Sequence, residues 1–199
     1  MKTVEKSILK RIRGSGVGDV FSPNHFLDLG GRSAVGVALH RLVKAGKIRR
    51  IRRGLYDLPG TNPIVGQTAP DVMATVRALM DGSHAQWQFS GAYAANALGL
   101  SDQVPAKVVI LTDGVPRKVA LGRLTLVFRR AAPRNMLAAG RRAGLVVQAL
   151  RHMKGSPVMS KHVAKLKKDL DADTKKDLQS ITLKLPLWMR PFAQQITQG

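Results

Sequence analysis

The period of the apolar residues changes abruptly within "SAVGVALHRLVKAGKIRRIRRGLYDLPG", from Ser33 to Gly60. Up to Ala45 the spacing is helical. At ~100° per residue, Val35, Leu39, Leu42 and Val43 share one arc. Gly46 marks the C-terminal stop. Beyond it, "KIRRIRRGLYDL" alternates as a strand, a turn at Gly54 and a returning strand through Leu55, Tyr56 and Leu58. A basic helix therefore runs into a basic hairpin with almost no chain between them.

The preceding residues supply two more helices. Val4, Ile8, Leu9 and Ile12 repeat at helical spacing, with Lys2, Lys6, Lys10 and Arg13 opposite, and Gly14, Gly16 and Gly18 end the pattern. In "FSPNHFLDLGG", Ser22 suits an N-cap and Pro23 the first helical position, so a short second helix starts there. Gly30 and Gly31 turn the chain tightly into the third helix, from about Arg32 to Ala45. Three short helices, a tight turn before the third and a basic hairpin read as a winged helix-turn-helix. In that arrangement the outer face of the third helix enters a DNA major groove and the hairpin grips the adjacent backbone or minor groove.

The outer face predicts the contacts. Arg32 opens the third helix, and Ser33, Ala34, Val37, His40, Arg41 and Lys44 lie opposite its apolar arc. Ser33, Val37, His40 and Arg41 are placed to touch base edges. Arg49, Arg50, Arg52 and Arg53 on the hairpin are expected to meet phosphates, giving affinity with little sequence information. The candidate DNA-binding set is thus Arg32, Ser33, Val37, His40, Arg41, Lys44, Arg49, Arg50, Arg52 and Arg53. Gly36 costs about 1 kcal/mol of helix propensity relative to Ala. Close approach to DNA and close packing on a neighbouring helix both account for it. A charged helix face also serves as a merely solvated surface, and the same arrangement occurs in protein-interaction modules.

Charge supports a polyanion partner. Among 199 residues, 33 Lys and Arg stand against 12 Asp and Glu, a net charge of +21, and nucleic acid is the leading partner for such an excess. Residues 1–60 hold 13 basic and 4 acidic side chains, residues 61–140 hold 8 and 4, and residues 141–199 hold 12 and 4, so the excess gathers at the two ends. With 44% hydrophobic residues the chain has enough apolar content for a core. There is no cysteine, which excludes disulfides and thiolate metal sites. No apolar run approaches the ~20 residues of a membrane span, and the N-terminus lacks a signal-peptide apolar region, so a cytoplasmic location without membrane contact is expected.

Residues 59–70, "PGTNPIVGQTAP", read as a linker or extended crossover. A helix then runs from Asp71 to Met80. "SGAYAANALGL" reads as a short alanine-rich helix with Ser90 as its N-cap. "VVILTDG" is a buried strand, and "RKVAL" and "LTLVFRRA" form a hairpin turning at Gly122. Alternation of Leu124, Leu126 and Phe128 with Thr125, Val127 and Arg129 predicts a half-exposed strand. A helix returns from Arg141 to Met153, broken by Gly155 and Pro157. "VAKLKKDLDADTKKDLQSI" alternates charge sign as a helix would. Leu187, Trp188, Phe192 and Ile196 near the end are expected to dock on the preceding elements.

Catalytic patterns do not emerge. His25, His40, His84, His152 and His162 show no metal-ligand spacing. Asp113 in "TDG" is accounted for by a turn at a strand end. Ser90 in "FSGAY" lacks the flanks of a nucleophile elbow. No phosphate-cradling glycine loop is present, so a protein without enzymatic activity, metal or cofactor is expected.

"AVGVALHRLVKAGKIRRIRRGLYDLP" resembles the N-terminal winged helix of the AbiEi-type antitoxins of type IV toxin–antitoxin systems. "FSGAYAANALGLSDQVPAKVVILTDG" and "GRLTLVFRRA" resemble that family's second domain, and the likeness covers most of residues 1–155. It implies an antitoxin to a nucleotidyltransferase-like toxin encoded next door, whose N-terminal domain binds inverted repeats in its own promoter and represses the operon. A dimer on DNA would suit such repeats. The resemblance leaves open whether neutralisation needs direct contact with the toxin. The expected class is α+β: a winged helix-turn-helix over 1–60, a linker over 61–70, and an α+β antitoxin domain with a basic helical C-terminal segment over 71–199. A winged-helix transcription regulator with a sensory second domain and no toxin partner, and a basic RNA-associated structural protein, are the alternatives.

Overall fold

Helix α1 (Val4–Ser15) starts at Thr3, whose hydroxyl accepts the Lys6 N–H, and buries Ile8 and Ile12 one turn apart. After β1 (Val20–Phe21) the chain makes a 3-10 turn over Pro23–Phe26, and Gly31 caps α2 (Arg32–Lys44). Strands β2 (Arg49–Arg52) and β3 (Leu55–Asp57) follow as a hairpin. The three strands form one antiparallel sheet in the order β1-β3-β2. Ile8, Ile12, Phe21, Phe26, Val35, Leu39, Leu42 and Ile48 close a shared core beneath it. Each fully buried side chain of this kind contributes about 1.5–3 kcal/mol. The computed structural model describes residues 3–64 and 66–198.

The segment expected to be a linker has structure of its own. Strands β4 (Thr61–Asn62) and β5 (Gly66–Gln67) pair antiparallel, and the Thr68 N–H donates to the Gly60 carbonyl at 2.9 Å. Helix α3 (Val72–Met80) is capped by Asp71, whose carboxylate accepts the Ala74 N–H at 2.7 Å. Its Ala78 is buried with Val20 of β1 and Leu55 of β3. The chain accordingly divides into compact units at 84/85 rather than across 61–70. The proline-rich stretch is polar and turn-forming, as its sequence says, but the helix after it covers Val20 and Leu55, which both precede that stretch.

The second unit, 85–199, joins a four-stranded sheet to five helices. Its elements are β6 (Trp87–Phe89), α4 (Gly91–Ala97), β7 (Lys107–Thr112), β8 (Arg117–Leu121), β9 (Leu124–Arg130), α5 (Arg142–His152), α6 (Met159–Asp169), α7 (Ala172–Ile181) and α8 (Arg190–Thr197). The strand order is β6-β7-β9-β8, with β7 and β9 parallel and the other pairs antiparallel. Strand β9 is therefore internal. Leu126, Val127 and Phe128 are all buried, where alternation alone had predicted a half-exposed strand. Consecutive strand residues point to opposite faces, so both faces of the sheet are covered at 126–128, while the equally internal β7 keeps an alternating pattern.

Alanines 94 and 95 are buried between α4 and α5, whose Ala143, Val146, Val147 and Leu150 join the same core. The charged stretch from Val163 to Ile181 is two helices. Leu170 is extended, and Asp171 caps α7 by accepting the Thr174 N–H at 2.7 Å. The chain end docks on α6 and α7. Its buried stripe is Leu185, Met189, Ala193 and Ile196, at intervals of four, four and three. That stripe leaves Leu187 76% exposed and Trp188 and Phe192 only half-buried at its margin. The expected docking occurs, but Leu187 takes no part in it.

Candidate nucleic-acid interface

Helix α2 separates its two faces cleanly. Val35, Ala38, Leu39 and Leu42 are buried, while Arg32, Ser33, Val37, His40, Arg41 and Lys44 are all exposed. Arg41 and Lys44 lie in the last turn, where cations complement the helix dipole. Val37 is 48% exposed, an apolar side chain amid basic and small ones. Lys6 and Thr3 of the α1 start line a groove of about 390 Å³ with Ala34, Val37 and Arg41. Lys6 was not among the sequence-predicted contacts. Its signal was the basic side of the first helix, whose relation to α2 depends on tertiary packing.

Arg11 holds that packing in place. Its guanidinium donates to both Asp28 carboxylate oxygens, at 2.7 and 2.6 Å, and to the His25 carbonyl at 2.8 Å. This hydrogen bonding keeps the Asp28 carboxyl below the usual carboxylate range. It also ties α1 to the turn leading into α2.

On the hairpin, Arg50, Arg52 and Arg53 are exposed. Gly54 takes φ +77° at the turn, a conformation that favours glycine. A register shift between Arg50 and Arg52 kinks β2, and Ile51 between them packs on Val20 and Leu55.

Arg49 is not a free phosphate ligand. Its Nε and Nη2 donate to Asp57 at 3.0 and 2.5 Å, and Nη2 also donates to the Thr68 carbonyl at 2.9 Å. The Asp57 side chain is fully buried. Sequence reading grouped four arginines of one hairpin together; strand alternation combined with the carboxylate directly across the ladder, Arg49 opposite Asp57, draws the first of them inward. The structure thus brings together nine of the ten expected residues on the outer surfaces of α2 and the hairpin.

Gly36 lies on the exposed side of α2, and a Cβ placed there meets nothing within 4 Å. Packing on a neighbouring helix therefore does not account for it.

Other polar clusters resolve into structural roles. The Ser22 hydroxyl donates to Asp81 at 2.8 Å, and His25 Nδ1 lies 3.1 Å from the same hydroxyl and 3.3 Å from Asp81. Both contacts use one ring nitrogen, so the group caps the 3-10 turn and does not form a proton relay. The Thr112 hydroxyl donates to the Gln86 carbonyl at 2.8 Å and accepts the Gly114 N–H at 3.0 Å, which fixes the turn containing Asp113. Among the described residues no group of three or more His, Asp or Glu is arranged to hold a metal ion. Nor is any helix among them long and apolar enough to cross a membrane.

The family model described as "Family of unknown function (DUF6088)" matches residues 7–178. The chain belongs to DUF6088. No curated protein matches it. Among solved structures, this DUF6088 chain is similar to the RV2827C protein from Mycobacterium tuberculosis. The two share 16% identity at a TM-score of 0.44, over 98% of this chain and 80% of that one.

Proposed function

We propose that this chain is a DNA-binding autorepressor and antitoxin whose first unit is a winged helix-turn-helix. The observation that carries the DNA-binding part is the shared exposure of one helix face and one hairpin tip, both basic. Arg32, Ser33, Val37, His40, Arg41 and Lys44 present a helix surface of the size and chemistry that fits a major groove. Arg50, Arg52 and Arg53 project from an adjacent hairpin. The element order α1, β1, 3-10 turn, α2, β2, β3 with sheet order β1-β3-β2 supports the winged-helix reading. Neutralisation of a nucleotidyltransferase-like toxin rests on the sequence resemblance of residues 89–114 and 122–131 to the second domain of AbiEi-type antitoxins.

In this mechanism the hairpin arginines supply salt-dependent affinity, and the helix selects sequence. Arg41→Ala weakens binding to the chain's own promoter by ~1–3 kcal/mol and relaxes the preference at one base pair. Arg52→Ala weakens all duplexes alike and lowers the salt slope by about one. Mobility-shift titrations at several salt concentrations, with promoter and random duplex, read both effects. Equal affinity of the wild type for both duplexes at physiological salt removes the base-reading role. Co-expression with an adjacent nucleotidyltransferase gene, scored by growth, decides the antitoxin part.

A further inference from the structure

The second unit contains a cleft of about 390 Å³ lined by Ser90, Gly91, Arg129, Arg130, Arg151 and His152, among others. That volume lies within the range of small-molecule sites. No carboxylate lines it. Arg129 and Arg130 are exposed at the end of β9, and Arg151 is half-buried in the last turn of α5.

Arg151 is the informative residue. Its Nη1 donates to the Asn135 amide oxygen at 2.8 Å. Its Nε is buried with no hydrogen-bond acceptor among the described residues. Arg11, Arg49, Arg141 and Arg142 each face an aspartate; Arg151 has only a neutral amide. Burial, with a smaller effect of nearby Arg134, disfavours its charged form and lowers its pKa. A half-buried cation without a carboxylate partner is stabilised by an anion in the cleft that it lines. The planar guanidinium fork matches phosphate oxygens, and such charge-assisted bonds are stronger than neutral ones.

We propose that this cleft binds the phosphate group of a small phosphorylated ligand, with Arg151 at its base and Arg129 and Arg130 at its rim. A concave site of this size admits a phosphate and the atoms attached to it. Ser90 supplies a further hydroxyl at the wall, and its side chain makes no capping bond to α4. Leu111, Ala131 and Ala132 form apolar wall for the remainder of the ligand. The proposal is independent of DNA binding by the first unit.

Titration calorimetry on the full chain tests it, with inorganic phosphate, pyrophosphate and adenosine triphosphate as separate probes at constant ionic strength. One saturable site is expected. Arg151→Gln weakens it at least tenfold, and Arg130→Gln, an exposed change that leaves the core intact, weakens it severalfold. Arg53→Gln on the hairpin leaves it unchanged. Tighter binding of adenosine triphosphate than of inorganic phosphate identifies a nucleotide as the source of the phosphate, and equal binding identifies the free anion. Absence of saturation with all three probes overturns the proposal. So does wild-type affinity in Arg130→Gln, whatever the folding of Arg151→Gln. Equal loss in Arg53→Gln overturns it too, because that marks diffuse polyanion attraction.

Discussion

In the first unit Arg32, Arg41 and Lys44 project from one helix face, and Arg50, Arg52 and Arg53 from one hairpin. In the second, Arg129, Arg130 and Arg151 converge on a cleft. Both units are strongly basic: residues 1–84 hold 14 basic and 6 acidic side chains, and residues 85–199 hold 19 and 6. Net charge gives the two units the same sign, +8 and +13. Shape separates them, because a projecting row of cations matches a long regular polyanion and a concave group matches a small one. Net charge thus sets the sign a partner would have, while the shape of the surface presenting the arginines would select its size.

Cutting the chain tests the boundary on which this comparison depends, and it carries the largest expected effect. Residues 1–84 should fold alone with one cooperative thermal transition by circular dichroism. Residues 1–60 should not. The shorter piece lacks α3, which covers Val20 and Leu55, and lacks the Thr68 carbonyl that Arg49 uses. A cooperative melt from residues 1–60 at the same temperature would place the boundary back in the 61–70 segment.

Within the hairpin, Arg49 and its neighbours divide the two roles of arginine. Arg49→Ala leaves the buried Asp57 carboxylate without its cation, and breaking a buried pair in this way costs ~3–5 kcal/mol. Arg50→Ala and Arg53→Ala should leave stability within about 0.5 kcal/mol, as surface changes do, and act on DNA affinity instead. Urea denaturation of the three variants measures the split. If Arg49→Ala melts like the wild type and loses only DNA affinity, Arg49 belongs with the phosphate contacts after all.

The sequence made the first unit readable because its elements end at residues with one strong local meaning. Gly16 and Gly54 take positive φ, and Ser22 and Pro23 open the 3-10 turn. The outer face of α2 follows from period alone, which is why all six of its candidate residues emerge exposed. What could not be read is non-local. Nothing near Asp71 announces that α3 covers Val20 and Leu55. Nothing near Lys107 announces that β7 pairs parallel with β9. The cleft is hidden for the same reason: Ser90, Arg130 and Arg151 lie far apart in sequence and meet only because the sheet order is β6-β7-β9-β8.

Two helical glycines sharpen the contrast between the units. Gly144 sits in α5, where an added Cβ would come within 2.3 Å of the Ala138 carbonyl oxygen and 3.0 Å of Gln88 Nε2. Ala138 itself has φ +54°, and Gln88 is buried and accepts the Gly140 N–H. Neither neighbour is free to retreat. Gly144→Ala should therefore destabilise the chain by ~1–3 kcal/mol, the usual cost of overpacking, although helix propensity alone favours Ala. A thermal melt at or above the wild-type temperature would mean that the 136–140 turn yields.

Gly36→Ala is the smallest change and the most discriminating one for the first unit. No atom within 4 Å opposes the added methyl group, so helix propensity decides, and the variant should gain ~0.5–1 kcal/mol of stability. Native packing gives no reason to keep glycine there. A reason outside the free chain remains: between Ser33 and Val37, on the exposed face, a methyl group would hold the backbone of α2 away from a docked duplex. The expected result is higher melting temperature together with weaker promoter binding in the mobility-shift assay. A stabilised variant that binds the promoter as tightly as the wild type would show that the α2 backbone does not approach DNA at this position. Recognition would then fall to the longer side chains Arg41 and Lys44, with Ser33 and Val37 outside the contact.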